Sequence, residues 1–162
     1  MANLLLDNGA DVEAKDIEGS TPLHYSAAFD FPIVANALID NDADVNAKDN
    51  YGGTPLFNAA RNDSVQVAEI LLNNDADINA KDNNGGTPLF TAAEFDSFQV
   101  AEILLNNSAE VDAKMSDDTS SLHIAARHNS IKVAELLLRH NANVEAPLLD
   151  LCILQQSMTF SS

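Results

Sequence analysis

At 162 residues the chain has enough material for one ordinary domain, and its 25 acidic residues against 8 basic ones give a formal charge of −17. That charge sets it against nucleic acid and anionic membranes, where affinity comes from Lys and Arg displacing counterions. Cys152 is the single cysteine, so no internal disulfide exists, and no apolar run approaches the roughly 18 residues that span a bilayer. The charge excess either keeps the protein soluble or prepares it for a basic partner. In both cases salt should screen the self-repulsion and raise the melting temperature between low and moderate NaCl. A fall over that range counts against this.

The chain begins with Met1–Gly9, which holds three consecutive leucines and no basic start, and so does not read as a signal peptide. Thr21-Pro22-Leu23-His24 follows. Gly-Gly-Thr-Pro-Leu-Phe then appears at Gly52–Phe57 and again 33 residues later at Gly85–Phe90. Ser120-Ser121-Leu122-His123 keeps the same 33-residue register. A period of that length means stacked units that bury their apolar faces against one another. Asp49–Lys81 and Asp82–Lys114 agree at most positions, as after a recent duplication.

Asp49–Lys81 shows how one unit folds. Asp49-Asn50-Tyr51-Gly52-Gly53 is turn chemistry. Thr54 is placed to cap a helix with its hydroxyl, and Pro55 suits the first helical position. Leu56, Ala59 and Ala60 give that helix a narrow apolar face. Asn62-Asp63-Ser64 breaks it, and Ser64 is placed to cap a second helix with Val67, Ile70, Leu71 and Leu72 inside. Asn73-Asn74-Asp75 ends the second helix. Helices this short are marginal alone and depend on stacking.

Asp16-x-x-Gly19-x-Thr21-Pro22-Leu23-His24, two apolar helices, and Ala43-Asp44-Val45-Asn46-Ala47 together resemble the ankyrin repeat. The resemblance implies an all-α ankyrin-repeat solenoid of helix–turn–helix units with protruding β-turn or hairpin loops. It covers residues 1–146: a half repeat at 1–15, full repeats at 16–48, 49–81, 82–114 and 115–147, and a non-repeat tail at 147–162. Leu4, Leu5, Leu6 and Gly9-Ala10-Asp11-Val12 match the second half of a preceding unit. Where the family favours Gly after the first helix, this chain has Asp30, Asp63, Asp96 and Asn129. After the second helix it has Asp42, Asp75, Ser108 and Asn141. Asn and Asp tolerate a left-handed backbone better than Ser does, so Ser108 fits worst. In the fourth unit Met115 replaces the leading Asp, Asp118 replaces Gly, and Ser120-Ser121 replaces Thr-Pro. Its turn is expected to be the least rigid.

The residue types of chemistry are present without their arrangements. Asp40-x-Asp42-x-Asp44 opens like a calcium loop, but Val45 and Tyr51 stand where Gly and a bidentate Glu are needed. His24 and His123 occupy the family's Thr-Pro-Leu-His position, for which the resemblance implies a structural hydrogen bond. Phe57 and Phe90 replace them in the middle units, and His128 and His140 lack further ligands for zinc. No nucleophile elbow or phosphate loop occurs. The expectation is no enzyme, no cofactor and no metal. Asn46 and Asn79 each follow a leucine, Leu38 or Leu71, by eight residues. That resembles the pattern read by ankyrin-directed asparaginyl hydroxylases, although the fold itself also prefers this loop.

The resemblance implies partner binding on the concave side, made by the turns and first helices. The residues there that the repeat does not require are Phe29, Tyr51, Arg61, Asn62, Glu94, Phe95, Arg127 and His128. Phe29, Asn62, Phe95 and His128 form one column at the repeat period, and Tyr51, Arg61 and Arg127 are of hot-spot type. The alternative is that Phe29 and Phe95 pack with Phe31 and Phe98. In the tail, Leu148, Leu149, Leu151, Ile153 and Leu154 either cover the last unit, form a disordered end, or serve as a partner motif. The function expected is a monomeric, intracellular and cytoplasmic, non-catalytic scaffold or adaptor that binds another protein, one with a basic surface among the candidates. The alternative is an ankyrin segment of a larger multidomain protein, an enzyme included, acting as spacer or regulatory arm. A third reading is a purely structural array with no private partner.

Overall fold

The computed structural model describes residues 11–144. Most of the half repeat read at 1–15, and the tail at 147–162, lie outside the described residues. Eight α-helices follow in four pairs. They are α1 (Pro22–Ala28) with α2 (Pro32–Ile39), α3 (Pro55–Asn62) with α4 (Val65–Asn73), α5 (Pro88–Phe95) with α6 (Phe98–Asn106), and α7 (Ser121–His128) with α8 (Ile131–Arg139). The first helices of the pairs stack in one row, and the second helices stack in another against it. No strand forms among the described residues, and the one isolated bridge joins Lys114 and Ser120. The architecture is the all-helical solenoid that the period demands.

Each row is built from identical steps along the chain. Leu23, Leu56, Leu89 and Leu122 fill one buried column, and Val67, Val100 and Val133 fill another. Ala27, Ala59, Ala60, Ala92, Ala93 and Ala125 are buried between helices, where their small side chains permit close approach. Ile70 and Leu72 pack only partly against this core.

All eight positions after the helices have the left-handed backbone that their residue types suggest. The φ values are 51° at Asp30, 66° at Asp42, 54° at Asp63, 63° at Asp75, 53° at Asp96, 68° at Ser108, 57° at Asn129 and 61° at Asn141. Asp118, which takes a glycine's place, joins them at φ 65°. Its counterpart Gly52 has φ 81°, and a Cβ there would lie 2.6 Å from Asn83 Oδ1. Gly52 therefore answers both the backbone and the crowding of the following turn.

The capping of both helix types differs from the expectation. Ser64 stands at the N-cap of α4, but its hydroxyl makes no cap bond. The Val67 N–H in the first turn of α4 donates instead to Asp30 Oδ1 at 2.9 Å, 37 residues away. Asp63 receives the Val100 N–H at 2.8 Å, and Asp96 the Val133 N–H at 3.3 Å. The left-handed aspartates thus cap the second helix of the next unit, which explains Asp where Gly would be less strained.

Thr54 and Thr87 do occupy the N-cap positions of α3 and α5 with extended backbones, at ψ 168° in both. Their hydroxyls do not cap. Both Oγ1 atoms are buried without a hydrogen-bond partner, as is Ser121 Oγ. The cause is visible in α1. There the Thr21 N–H and hydroxyl both donate to His24 Nδ1, at 3.1 and 2.9 Å, and His24 Nε2 meets Gly53 O at 3.2 Å. Ser120 and His123 repeat the first two bonds in α7, at 3.1 and 2.8 Å. Phe57 and Phe90 have no such acceptor, so the threonines beside them lose their partner.

Candidate protein-interaction surface

The turns that rim the first helices are tied internally and to each other. Asp49 Oδ1 accepts the Tyr51 and Gly53 N–H groups, each at 2.9 Å, and Asp82 Oδ1 does the same for Asn84 and Gly86 at 2.9 and 2.8 Å. Between turns, the Asn50 N–H donates to Glu18 O at 2.9 Å and the Asn83 N–H to Tyr51 O at 3.0 Å. The Asn50 and Asn83 side chains add bonds to Ile17 O and Asn50 O, at 3.1 and 3.0 Å. The fourth turn has Met115 in place of the Asp. Asp117 takes bonds from Thr119 alone, its Oδ1 receiving the Thr119 N–H at 3.1 Å, and the link back is Ser116 Oγ to Asn84 O at 3.5 Å. Its hydrogen bonding is the thinnest of the four.

A recess of about 550 Å³ opens between the turns of the first three units and the first helices of the second and third, α3 and α5. Tyr51, Arg61 and Glu94 line it together with Glu18, Asp49 and Asp82. Tyr51 is 65% exposed, on a backbone bonded at both its N–H and its carbonyl. The Arg61 guanidinium lies 5.1 Å above the centre of the Phe95 ring, a cation–π contact across units that leaves Phe95 46% exposed.

The remaining predicted residues are not all drawn together. Phe29 is 63% exposed and stacks on Phe31, with ring centres 5.7 Å apart and planes 23° from parallel, while Phe98 packs against the core. Asn62 folds back, its Nδ2 donating to Asn58 O at 2.9 Å. Arg127 and His128 are exposed in the fourth unit, away from the recess lining. Asn58 and Thr91 also line the recess. Their signal was present in the sequence, as the varied column Tyr25, Asn58, Thr91 and Ile124 at the repeat period. Asp49 and Asp82 were legible only as turn formers.

Asn46 and Asn79 sit on the opposite loops. Asn46 Oδ1 accepts the Asp77 N–H at 2.8 Å and its Nδ2 donates to Asp75 O at 3.2 Å, while Asn79 Oδ1 accepts the Glu110 N–H at 2.9 Å. Both are rungs between successive units. In the first turn Tyr25 donates to Asp16 Oδ2 at 2.6 Å, which holds the Asp16 carboxyl below its usual range and raises the Tyr25 hydroxyl above its own.

A family model described as ankyrin repeats, three copies, matches residues 1–82 and 77–147. The chain belongs to the ankyrin-repeat family. Ankyrin repeats generally mediate protein–protein interaction and are typically non-catalytic. No curated protein matches this ankyrin chain. Among its described residues, no helix is long and apolar enough to cross a membrane.

Proposed function

We propose that this ankyrin array is a non-catalytic scaffold that binds a partner protein on the side of its turns and first helices. The observation that carries the reading is Tyr51, an aromatic side chain 65% exposed at a recess while its backbone is locked between Asp49 and Asn83. A rigid exposed aromatic loses little freedom on binding and is the residue type enriched in hot spots. Arg61 and Phe95, already held against each other, supply a second prepared contact. Affinity capture with the native chain and with a Phe29/Tyr51/Phe95→Ala variant tests the proposal. Partners retained by the native chain should be lost by the variant, and identical partner lists would sink it.

A second reading, a spacer or regulatory arm in a larger protein, draws support from the first unit. Ile17, Phe31 and Ile33 are exposed there, where the later units carry Asn or Ser, Ser, and Gln or Lys. A reading frame that continues upstream with further domains would favour it. For Asn46 and Asn79, hydroxylation remains a proposal. Intact peptides heavier by one oxygen atom would support it.

A further inference from the structure

We infer that the recess takes an extended Lys- or Arg-rich segment of the partner, with its cations among Glu18, Asp49, Asp82 and Glu94. This inference rests on the proposed function and names the partner's chemistry. The four carboxylates line one recess of about 550 Å³ and come from three successive turns and the end of α5. None has a cation partner among the described residues. The ion pairs there are Lys114–Asp118 and Arg139–Glu135, both outside the recess.

Of the nearby cations, Arg61, Lys15 and Lys48 are engaged elsewhere, and the exposed Lys81 beside Asp82 forms no ion pair with it. Arg61, which lines the recess, has its guanidinium 5.1 Å over the Phe95 ring. Lys15 Nζ donates to Lys48 O and Lys48 Nζ to Lys81 O, both at 2.9 Å, so these lysines run along the stack. Asp49 and Asp82 each spend Oδ1 on two turn N–H groups. Their Oδ2 atoms remain for an incoming donor. Among the described residues no group of three or more His, Cys, Asp or Glu converges as a metal site. Carboxylates spread over three units suit a row of cations better than one ion. The exposed Tyr51 ring adds a face for an ammonium or guanidinium group. The net charge of −17 would speed the encounter at low salt.

The test uses the full chain and three labelled peptides: alternating lysine and serine, its arginine counterpart, and a version with glutamine for every lysine. Anisotropy at two salt concentrations measures affinity, and backbone amide shifts locate the peptide. The cationic peptides should bind, more weakly at high salt, and shift Tyr51, Gly53, Asn84 and Glu94. The Glu18→Gln/Glu94→Gln pair should weaken binding about threefold to thirtyfold, the scale for two partly exposed charge pairs. Neither side chain makes a hydrogen bond that holds the fold. Glu69→Gln/Glu102→Gln removes the same charge from exposed sites on α4 and α6 and should leave affinity within about twofold. Equal losses from both pairs would mean attraction by net charge alone and would overturn the inference. Equal binding of the glutamine peptide, with the same shifts, would overturn the partner class and leave recognition on this face standing. Shifts confined to α2, α4, α6 and α8 would overturn both readings.

Discussion

Replacing Thr54 with Val should stabilise the protein, whereas the same change at Thr21 should destabilise it. The two residues occupy equivalent N-cap positions, both extended and both buried. They differ in what the hydroxyl meets. Thr54 Oγ1 has no partner, and a buried hydroxyl left unsatisfied costs about 1–3 kcal/mol. Valine keeps the β-branch and the shape while removing that cost. Allowing for partial relaxation around the site, Thr54→Val should gain about 1 kcal/mol. Thr21 Oγ1 lies 2.9 Å from His24 Nδ1, so Thr21→Val forfeits one hydrogen bond, a loss of about 1 kcal/mol. The His24 ring keeps its bond from the Thr21 N–H and is not orphaned. Urea unfolding reads the difference as opposite shifts of the midpoint at constant slope. Each shift corresponds to about 2–4 °C in melting temperature for a protein of this size. In a Phe57→His background the acceptor is restored, and Thr54→Val should then turn destabilising. A loss of stability from Thr54→Val in the native background, similar to that of Thr21→Val, would refute the reasoning.

Ser108→Gly should stabilise by about 0.5–1 kcal/mol, because Ser108 holds φ 68°, a left-handed backbone that glycine adopts without a Cβ penalty. An unchanged urea midpoint would show that the left-handed serine is not strained. Asp63→Ala should destabilise by about 1–2 kcal/mol by removing the cap from the Val100 N–H, and Asp63→Asn, which keeps an accepting oxygen, should recover most of it. Equal losses from both would point to the charge rather than the bond. Burial, as the leading cause, lowers the folded-state pKa of His24 below its ordinary 6.5, against the hydrogen bond to Gly53 that acts in the opposite sense. The folded state therefore binds its proton less readily than the unfolded state. The His24 contribution is complete above pH 6.5 and declines as pH falls below it. His24→Phe should flatten the pH dependence between neutrality and about pH 5.5. A slope unchanged by the substitution would remove His24 as its source.

Much of this architecture is legible in short stretches. Thr-Pro before Leu places the start of α3 and α5 because extended backbone at the cap and fixed φ at the first helical position are local properties. The left-handed sites at Asp30, Asp63 and Asn141 were marked by residue type alone. The recess was only half legible. Tyr51 and Arg61 stood out as residues the repeat does not need, but Asp49 and Asp82 looked fully occupied as turn formers. Phe29 and Phe95 share a column in the sequence yet differ in their partners. Phe29 turns to Phe31 within its own unit, and Phe95 lies under Arg61 of the unit before.

The sequence by itself determined the period, the helix pairs, the left-handed ends and the charge, since each follows from preferences that act over a few residues. Only the tertiary structure decided which groups meet across units. Asp30 caps α4 from 37 residues away, Lys15 reaches the Lys48 carbonyl 33 residues on, and Asn46 receives its bond from a unit later in the stack. Those pairings depend on the register and spacing of stacked helices, which no single unit contains. For the same reason the fate of the Thr54 hydroxyl and the gathering of four carboxylates at one recess became visible only once the units were in place.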